Sequence, residues 1–137
     1  MPTRPVKGPG FHHIAFKAVD YDKTLGFYEE AFGFKRAYGW GSGDGRAAMI
    51  DIGDGNYIEV FAGGKPLTDP NAGPLLHFAI RVDNVDAAFA RAVKAGAEVQ
   101  MEPKDVALQG DYVVNVRIAF VKGPGGEVIE FFENETL

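Results

Sequence analysis

The sequence contains no cysteine among its 137 residues. Disulfide bonds and thiolate metal sites are therefore excluded, and any bound metal ion would need nitrogen and oxygen ligands. The 14 Lys and Arg residues are outnumbered by 19 Asp and Glu residues, and they form no basic run of the kind that binds phosphates. We therefore expect no nucleic acid partner, and the lack of cysteine is typical of a cytoplasmic protein.

Long apolar runs are also missing. No stretch approaches the roughly 18 apolar residues that a membrane span requires, so we expect no membrane partner. Residues 1–10, MPTRPVKGPG, lack the apolar segment of a signal peptide and are interpreted as a flexible lead-in. The remaining composition, 46% hydrophobic and 24% charged, is typical of a single globular domain over residues 11–137.

What the sequence does contain is one motif written twice. The segment FHHIAFKA, which includes His13, matches the segment LLHFAIRV, which includes His77, after a shift of 64 positions. A second pair of similar segments ends each copy. GDGNYIEVF and GPGGEVIEFF place Glu59 and Glu130 at equivalent positions, 71 residues apart. Each copy therefore carries one histidine near its start and one glutamate near its end.

Each copy also predicts the same order of elements, a strand, a helix and three strands. Apolar residues at helical spacing predict one helix that ends at Gly33 and a second that ends at Gly96. In the second copy, strands are predicted over Glu98–Pro103 and Tyr112–Lys122, with a loop between them. The chain thus divides into module one (11–62), a linker (63–74) and module two (75–133).

Strand alternation sorts the side chains of the repeated strands onto two faces. One face is apolar and must pack against the helices; it carries Ile14, Phe16, Ile58, Val60, Phe78, Ile80, Ile129 and Phe131. The other face carries His13, Glu59, His77 and Glu130 among small and aromatic neighbours, which is typical of a lined cavity. The alternative is an ordinary antiparallel sheet with one wetted face.

Two modules related by a pseudo-two-fold axis would direct these four side chains to a single point. Two imidazoles and two carboxylates suit a divalent ion such as Zn²⁺, Ni²⁺, Mn²⁺ or Fe²⁺, one per site. His12 is assigned to the opposite face of its strand and is interpreted as a core-edge or surface residue.

Other side chains are candidates for the wall of the cavity. Asn115 and Arg117 share a face and could contact an anionic substrate, or they could be exposed residues on an outer edge. Five large side chains could line the pocket or pack in the core or an interface: Trp40, Tyr57, Phe61, Met101 and Tyr112.

The segments HHIAFKAVD, LHFAIRVD, YIEVF and GPGGEVIEFF resemble the vicinal oxygen chelate superfamily of glyoxalase I, extradiol dioxygenases and bleomycin-resistance proteins. The resemblance covers residues 11–133. It implies an α+β fold in which two tandem βαβββ modules form a curved mixed sheet, a half-barrel around a metal site with the helices on its outer face. Because two such modules leave strand edges open, we expect a homodimer. The resemblance implies a site either within one chain or across two.

The resemblance implies metal ligands at His13, Glu59, His77 and Glu130, a set most like that of bacterial-type glyoxalase I. Glu59 or Glu130 would act as the general base in a lyase or isomerase reaction through a metal-stabilised enediolate. The sequence departs from that enzyme at Lys17, where an arginine is typical, and in VFAGG, which lacks a typical asparagine. In bacterial-type glyoxalase I the arginine and the asparagine bind glutathione, so we expect a different small α-oxygenated substrate for this chain. The alternatives are a ring-cleaving dioxygenase and a metal-free sequestering protein.

Overall fold

In a computed structural model, which describes residues 11–66 and 76–134, the order of elements is the predicted one. The predicted lead-in and most of the predicted linker lie outside the described residues, so the module boundaries remain predictions. The elements are β1 (His13–Lys17), α1 (Tyr21–Phe32), β2 (Lys35–Trp40), a 3-10 turn (Gly43–Gly45), β3 (Ala47–Gly53), β4 (Asn56–Phe61), β5 (Phe78–Arg81), α2 (Val85–Lys94), β6 (Glu98–Gln109), β7 (Val113–Lys122) and β8 (Val128–Glu133).

Both helices begin at side-chain caps that the sequence contains. The Asp20 carboxylate accepts a hydrogen bond from the backbone N–H of Lys23, and the Asn84 amide oxygen accepts one from that of Ala87. Helix α1 ends at Gly33, whose φ of 73° is a left-handed conformation that glycine adopts without strain. Within the described ranges, no helix is long and apolar enough to cross a membrane.

The α+β class and the tandem βαβββ modules are confirmed. Each module forms its own open four-stranded sheet, ordered β1-β4-β3-β2 in the first and β5-β8-β7-β6 in the second. The first and last strands of each module pair in parallel, β1 with β4 and β5 with β8, and the other pairs are antiparallel. The curved sheet expected from the resemblance is thus present as two open sheets, with β1 and β2 at the edges of the first and β5 and β6 at the edges of the second.

The apolar faces of the two sheets are buried as strand alternation predicted. Ile58, Val60, Ile129 and Phe131 are completely buried in one core together with side chains of both helices. Burying a side chain of this size stabilises the fold by about 1.5–3 kcal/mol. Because this face is committed to the core, the histidines and glutamates on alternate positions must project from the other side of each sheet.

Strand β6 is longer than the sequence predicted, and the expected loop after Pro103 was wrong. The strand runs to Gln109, with register shifts against β7 on either side of Met101. Proline has no N–H to donate to a sheet, so it is tolerated on an edge strand beside a bulge. Pro103 therefore interrupts the register of β6 without ending the strand.

One buried polar contact joins the two modules. Tyr28 of α1 is completely buried and donates its hydroxyl hydrogen to Oε2 of Glu127, at 2.8 Å, in the turn before β8. Burial and the neighbouring Glu127 carboxylate together raise the pKa of the Tyr28 hydroxyl well above its usual value. The hydroxyl group therefore stays protonated in the folded protein and acts as a donor.

Tyr28→Phe should destabilise the protein by about 1–3 kcal/mol in urea unfolding, because it removes the donor to Oε2 of the half-buried Glu127 carboxylate. The wild type should also lose stability above about pH 10, where the unfolded tyrosine ionises but the folded one does not. Tyr28→Phe should lack this alkaline component. Tyr112→Phe, an exposed control, should unfold like the wild type; a Tyr28→Phe protein of wild-type stability would contradict the role of this contact.

Candidate metal centre

The first module brings His13 and Glu59 together on the open face of its sheet. Ala15 lies directly opposite Glu59 in the β1–β4 register, and its small side chain leaves room above the sheet. His13 lies opposite Tyr57 in the same register, and its Nε2 lies 3.6 Å from Oε1 of Glu59. The glutamate side chain is only 15% exposed and the histidine 38%, so the pair is sheltered on one side and accessible on the other.

The second module repeats this arrangement with His77 and Glu130. Ala79 lies opposite Glu130 in the β5–β8 register, as Ala15 does opposite Glu59. Nε2 of His77 lies 3.1 Å from Oε1 of Glu130, with side-chain exposures of 36% and 13%. The ring of Phe120 on β7 contacts His77 edge-on at a centroid distance of 5.3 Å, which restricts the orientation of the imidazole.

The donor atoms of each pair fit two positions of one metal ion. Nitrogen and oxygen ligands about 2.1 Å from a tetrahedral ion lie about 3.4 Å from each other. The observed separations, 3.6 Å and 3.1 Å, bracket that value. Each pair therefore matches half of a four-ligand site with imidazole and carboxylate donors.

The four side chains do not form one cluster within this chain. Among residues 11–66 and 76–134, no group of three or more His, Asp or Glu side chains lies close enough to hold a metal ion. The two pairs belong to separate sheets, whose helices pack against each other in the shared core. The chain thus presents two separate His–Glu pairs of possible donors, and we call each pair a half-site.

Sequence reasoning missed His12, which was assigned to the opposite face from His13. His12 precedes the first strand residue, so strand alternation does not fix its side chain. Its Nδ1 lies 2.9 Å from Nδ1 of His13, and its ring packs against Tyr57 at a centroid distance of 5.1 Å. The assignment to the opposite face was wrong, whereas the interpretation of His12 as a surface residue is confirmed by its exposure. The two consecutive histidines were the signal that could have indicated the contact.

Arg117, for which a substrate contact and an exposed outer edge were both left open, is held by two carboxylates. Its guanidinium group donates two hydrogen bonds to the carboxylate of Asp86, on α2, and one to Asp105. This contact lowers the pKa of the Asp86 carboxyl group. Arg117 lies opposite Glu133, whose carboxylate accepts from the first N–H of α2, so this side of β7 anchors the helix.

The five predicted pocket residues are divided among three places. Trp40, Tyr57 and Phe61 lie on the face of the first sheet that carries Glu59, and Met101 lies opposite Phe120 in the second sheet. Tyr112 is 66% exposed and lines a separate open groove of about 970 Å³ together with Asn115 and Arg117. The first module therefore supplies most of the aromatic surface beside a half-site.

A known protein family matches most of the chain. The family model described as the glyoxalase/bleomycin resistance protein/dioxygenase superfamily matches residues 10–131. The Bacillus subtilis protein YwbC is 27% identical, over 88% of this chain and 94% of its own. A lactoylglutathione lyase of Arabidopsis thaliana is 28% identical over 90% of this chain, which spans only 44% of the plant enzyme.

Solved structures share the fold. A glyoxalase family protein from Enterococcus faecalis superposes with a TM-score of 0.72 at 22% identity, over 90% of this chain and 97% of its own. The fosfomycin resistance protein FosX of Listeria monocytogenes superposes with a TM-score of 0.67 at 18% identity, over 93% and 95%. At these identities the structures show a shared architecture, and the chemistry depends on the residues of each site.

Proposed function

Because the chain belongs to the glyoxalase/bleomycin resistance protein/dioxygenase superfamily, we propose that it is a metal-dependent lyase or isomerase of the glyoxalase type. The substrate is a small molecule with adjacent carbonyl and hydroxyl oxygens. The observation that carries the proposal is the repeated His–Glu pair, His13 with Glu59 and His77 with Glu130, at separations suited to one divalent ion.

The complete site forms across a homodimer in this proposal. Each chain offers two half-sites with two donors each. An ion with four ligands needs one half-site from module one and one from module two. A two-fold axis that brings module one of one copy against module two of the other completes two sites at once, because such an interface is self-complementary. This arrangement accounts for the absence of a ligand cluster among the described residues of a single chain.

A divalent ion at this site supplies Lewis-acid stabilisation of the negative charge that develops on the substrate oxygens. The protein residues hold the ion and move the proton. Glu59 or Glu130 accepts the proton from the carbon next to the carbonyl group and returns it to the neighbouring carbon. Both carboxylates are mostly buried on a face lined with small and apolar side chains, which limits the access of water to the transferred proton.

The reaction class is tested by proton exchange. In D₂O, the metal-loaded protein should exchange the hydrogen next to the carbonyl group of a small 2-hydroxyaldehyde or 2-oxoaldehyde adduct for deuterium, which NMR detects. Glu59→Gln or Glu130→Gln should slow this exchange by about 100-fold or more. Oxygen uptake with a catechol and Fe²⁺ would instead indicate a ring-cleaving dioxygenase. Tight binding of a drug by metal-free protein, without turnover, would indicate a sequestering protein.

His12 has a defined role in this proposal, which is to orient His13. If Nε2 of His13 binds an ion, the imidazole proton of His13 must reside on its Nδ1. That N–H then donates to the lone pair on Nδ1 of His12, 2.9 Å away. Hydrogen bonds of this kind to a metal-binding imidazole fix its tautomer and ring orientation. His12 is therefore a positioning residue.

His12→Phe should weaken binding of Zn²⁺ or Ni²⁺ by about 10–100-fold in a calorimetric titration, because it keeps a ring beside Tyr57 but removes the acceptor. His12→Asn restores an acceptor oxygen and should recover part of the affinity. Substitution of the exposed neighbour Phe11 by alanine serves as the control and should change nothing. Wild-type affinity in His12→Phe would show that the contact has no part in metal binding.

A further inference from the structure

The core that the two modules share is open to solvent along the seam between their sheets. Strands β1 and β5 are edge strands, since each pairs with only one other strand. Their inward-facing residues Ile14, Phe16 and Phe78 are only partly buried, whereas Ile58 and Ile129 on the interior strands β4 and β8 are completely buried. The opening is a cleft of about 500 Å³, a size that suits a small organic ligand. We name it the seam cleft.

Both halves of the chain line the seam cleft. Strand β1 and residues 63–65 come from the first half, and residues 76–78 and 125–128 come from the second. Leu76, which is 77% exposed, adds a large apolar side chain to the partly buried ones. A ligand with an apolar chain would remove these side chains from water, which is favourable in proportion to the apolar area that it covers.

Two lysines line the same cleft. Lys17 is the last residue of β1, Lys65 follows β4, and both are exposed. Gly64 brings their backbones together, because its N–H donates to the carbonyl oxygen of Ala18 at 2.9 Å. A Cβ atom at Gly64 would lie only 2.7 Å from the carbonyl oxygen of Lys17, so this close approach requires glycine. The fold therefore holds two positive charges beside one opening.

Neither lysine is neutralised by the part of the chain that the structure describes. No carboxylate within residues 11–66 and 76–134 forms an ion pair with Lys17 or Lys65. The carboxylate in the cleft, that of Glu127, accepts hydrogen bonds from the Tyr28 hydroxyl and the backbone N–H of Gly125, at 2.8 Å each. Two like charges held side by side repel each other, and an anion bound between them removes that repulsion.

We propose that the seam cleft binds an amphipathic phosphate monoester, with its phosphate at Lys17 and Lys65 and its alkyl chain over the partly buried apolar side chains. A phosphate monoester carries about two negative charges at neutral pH, which matches the two lysines. Lysine binds phosphate as a point charge and needs no fixed fork of donors. A carboxylic acid of the same chain length neutralises only one of the two cations.

The seam cleft is separate from the function proposed above. Of the four proposed metal ligands, only His77 is among its lining residues. Binding of the phosphate needs no metal ion, and the two lysines belong to neither half-site. The inference therefore goes beyond the proposed function and can hold or fail without it.

Calorimetric titration with octyl phosphate, in a buffer that contains EDTA and below the micelle-forming concentration, tests the proposal. Octyl phosphate should bind at least tenfold more tightly than 1-octanol and about fivefold more tightly than octanoate, because only the phosphate supplies two charges. The affinity should rise about threefold for each methylene group added between butyl and octyl phosphate. Lys17→Met and Lys65→Met should each weaken octyl phosphate about five- to tenfold and leave 1-octanol unchanged.

Lys35→Met is the matched control, since Lys35 is an exposed lysine on β2, at the far edge of the same sheet. It should bind octyl phosphate like the wild type. Equal affinities for octyl phosphate and 1-octanol, or for butyl and octyl phosphate, would overturn the proposal.

Two further measurements identify what else could cover the cleft. Octyl phosphate that dissociates a dimer in sedimentation would overturn the proposal, because a second copy of the chain would then occupy the cleft. Pelleting of the protein with vesicles that contain phosphatidic acid would also overturn it, because the phosphate would then belong to a membrane surface. If the protein binds octyl phosphate as expected but no metal ion, only the proposed function fails.

Discussion

His77→Ala should abolish stoichiometric binding of a divalent metal ion, lowering its affinity by more than about 100-fold, because the site loses one of its imidazole donors. The remaining Glu130 would keep one carboxylate at that half-site, and carboxylates alone hold Zn²⁺ or Ni²⁺ more weakly than a mixed nitrogen and oxygen set. Elemental analysis after exhaustive dialysis measures the loss, and proton exchange at the substrate carbon should fall with it.

Leu76→Ala is a suitable control, since Leu76 is adjacent in sequence, 77% exposed and unable to bind a metal ion. It should retain the wild-type metal content. Thermal unfolding of both variants separates a lost ligand from a lost fold, because half-exposed His77 contributes little to the core. A His77→Ala protein that still carries a full complement of metal would remove His77 from the ligand set.

Mixing two inactive variants should restore activity if the site forms across a dimer. His13→Ala breaks the half-site of module one, and His77→Ala breaks that of module two. In a mixed dimer, one composite site carries both defects and the other carries none. Random reassortment of equal amounts should therefore recover about one quarter of the wild-type activity and metal content.

The control for this experiment is a mixture of His13→Ala with Glu59→Gln. Both changes affect the same half-site, so every composite site in the mixed dimer carries a defect and no activity should return. If the His13→Ala and His77→Ala mixture also stays inactive while the subunits exchange, as judged by mass spectrometry of the dimers, the sites do not form across two chains.

Several features of the fold were predictable because they depend on local periodicity. The helical spacing of apolar residues located α1 and α2, and Gly33 ends α1 as that spacing predicted. Strand alternation separated Glu59 from the buried Ile58 and Val60, because successive side chains in a strand point to opposite faces. The repeat then carried each assignment from one module to the other.

Other features depended on contacts between distant parts of the chain. Pro103 suggested the end of a strand, but pairing with β7 carried the strand past it through a bulge. Arg117 was left open as a substrate contact or an exposed edge residue, and the packing of α2 then brought Asp86 to it. His12 likewise precedes β1, so strand alternation could not predict that its side chain points toward His13.

The sequence by itself determined the repeat, the buried faces of its strands and the four candidate ligands, since each follows from residue type and period alone. Only the tertiary structure decided that the pairs are His13 with Glu59 and His77 with Glu130, on two sheets that stay separate in one chain. The physical reason is that strand register and the packing of α1 against α2 set the distances between side chains, and these depend on the whole core at once.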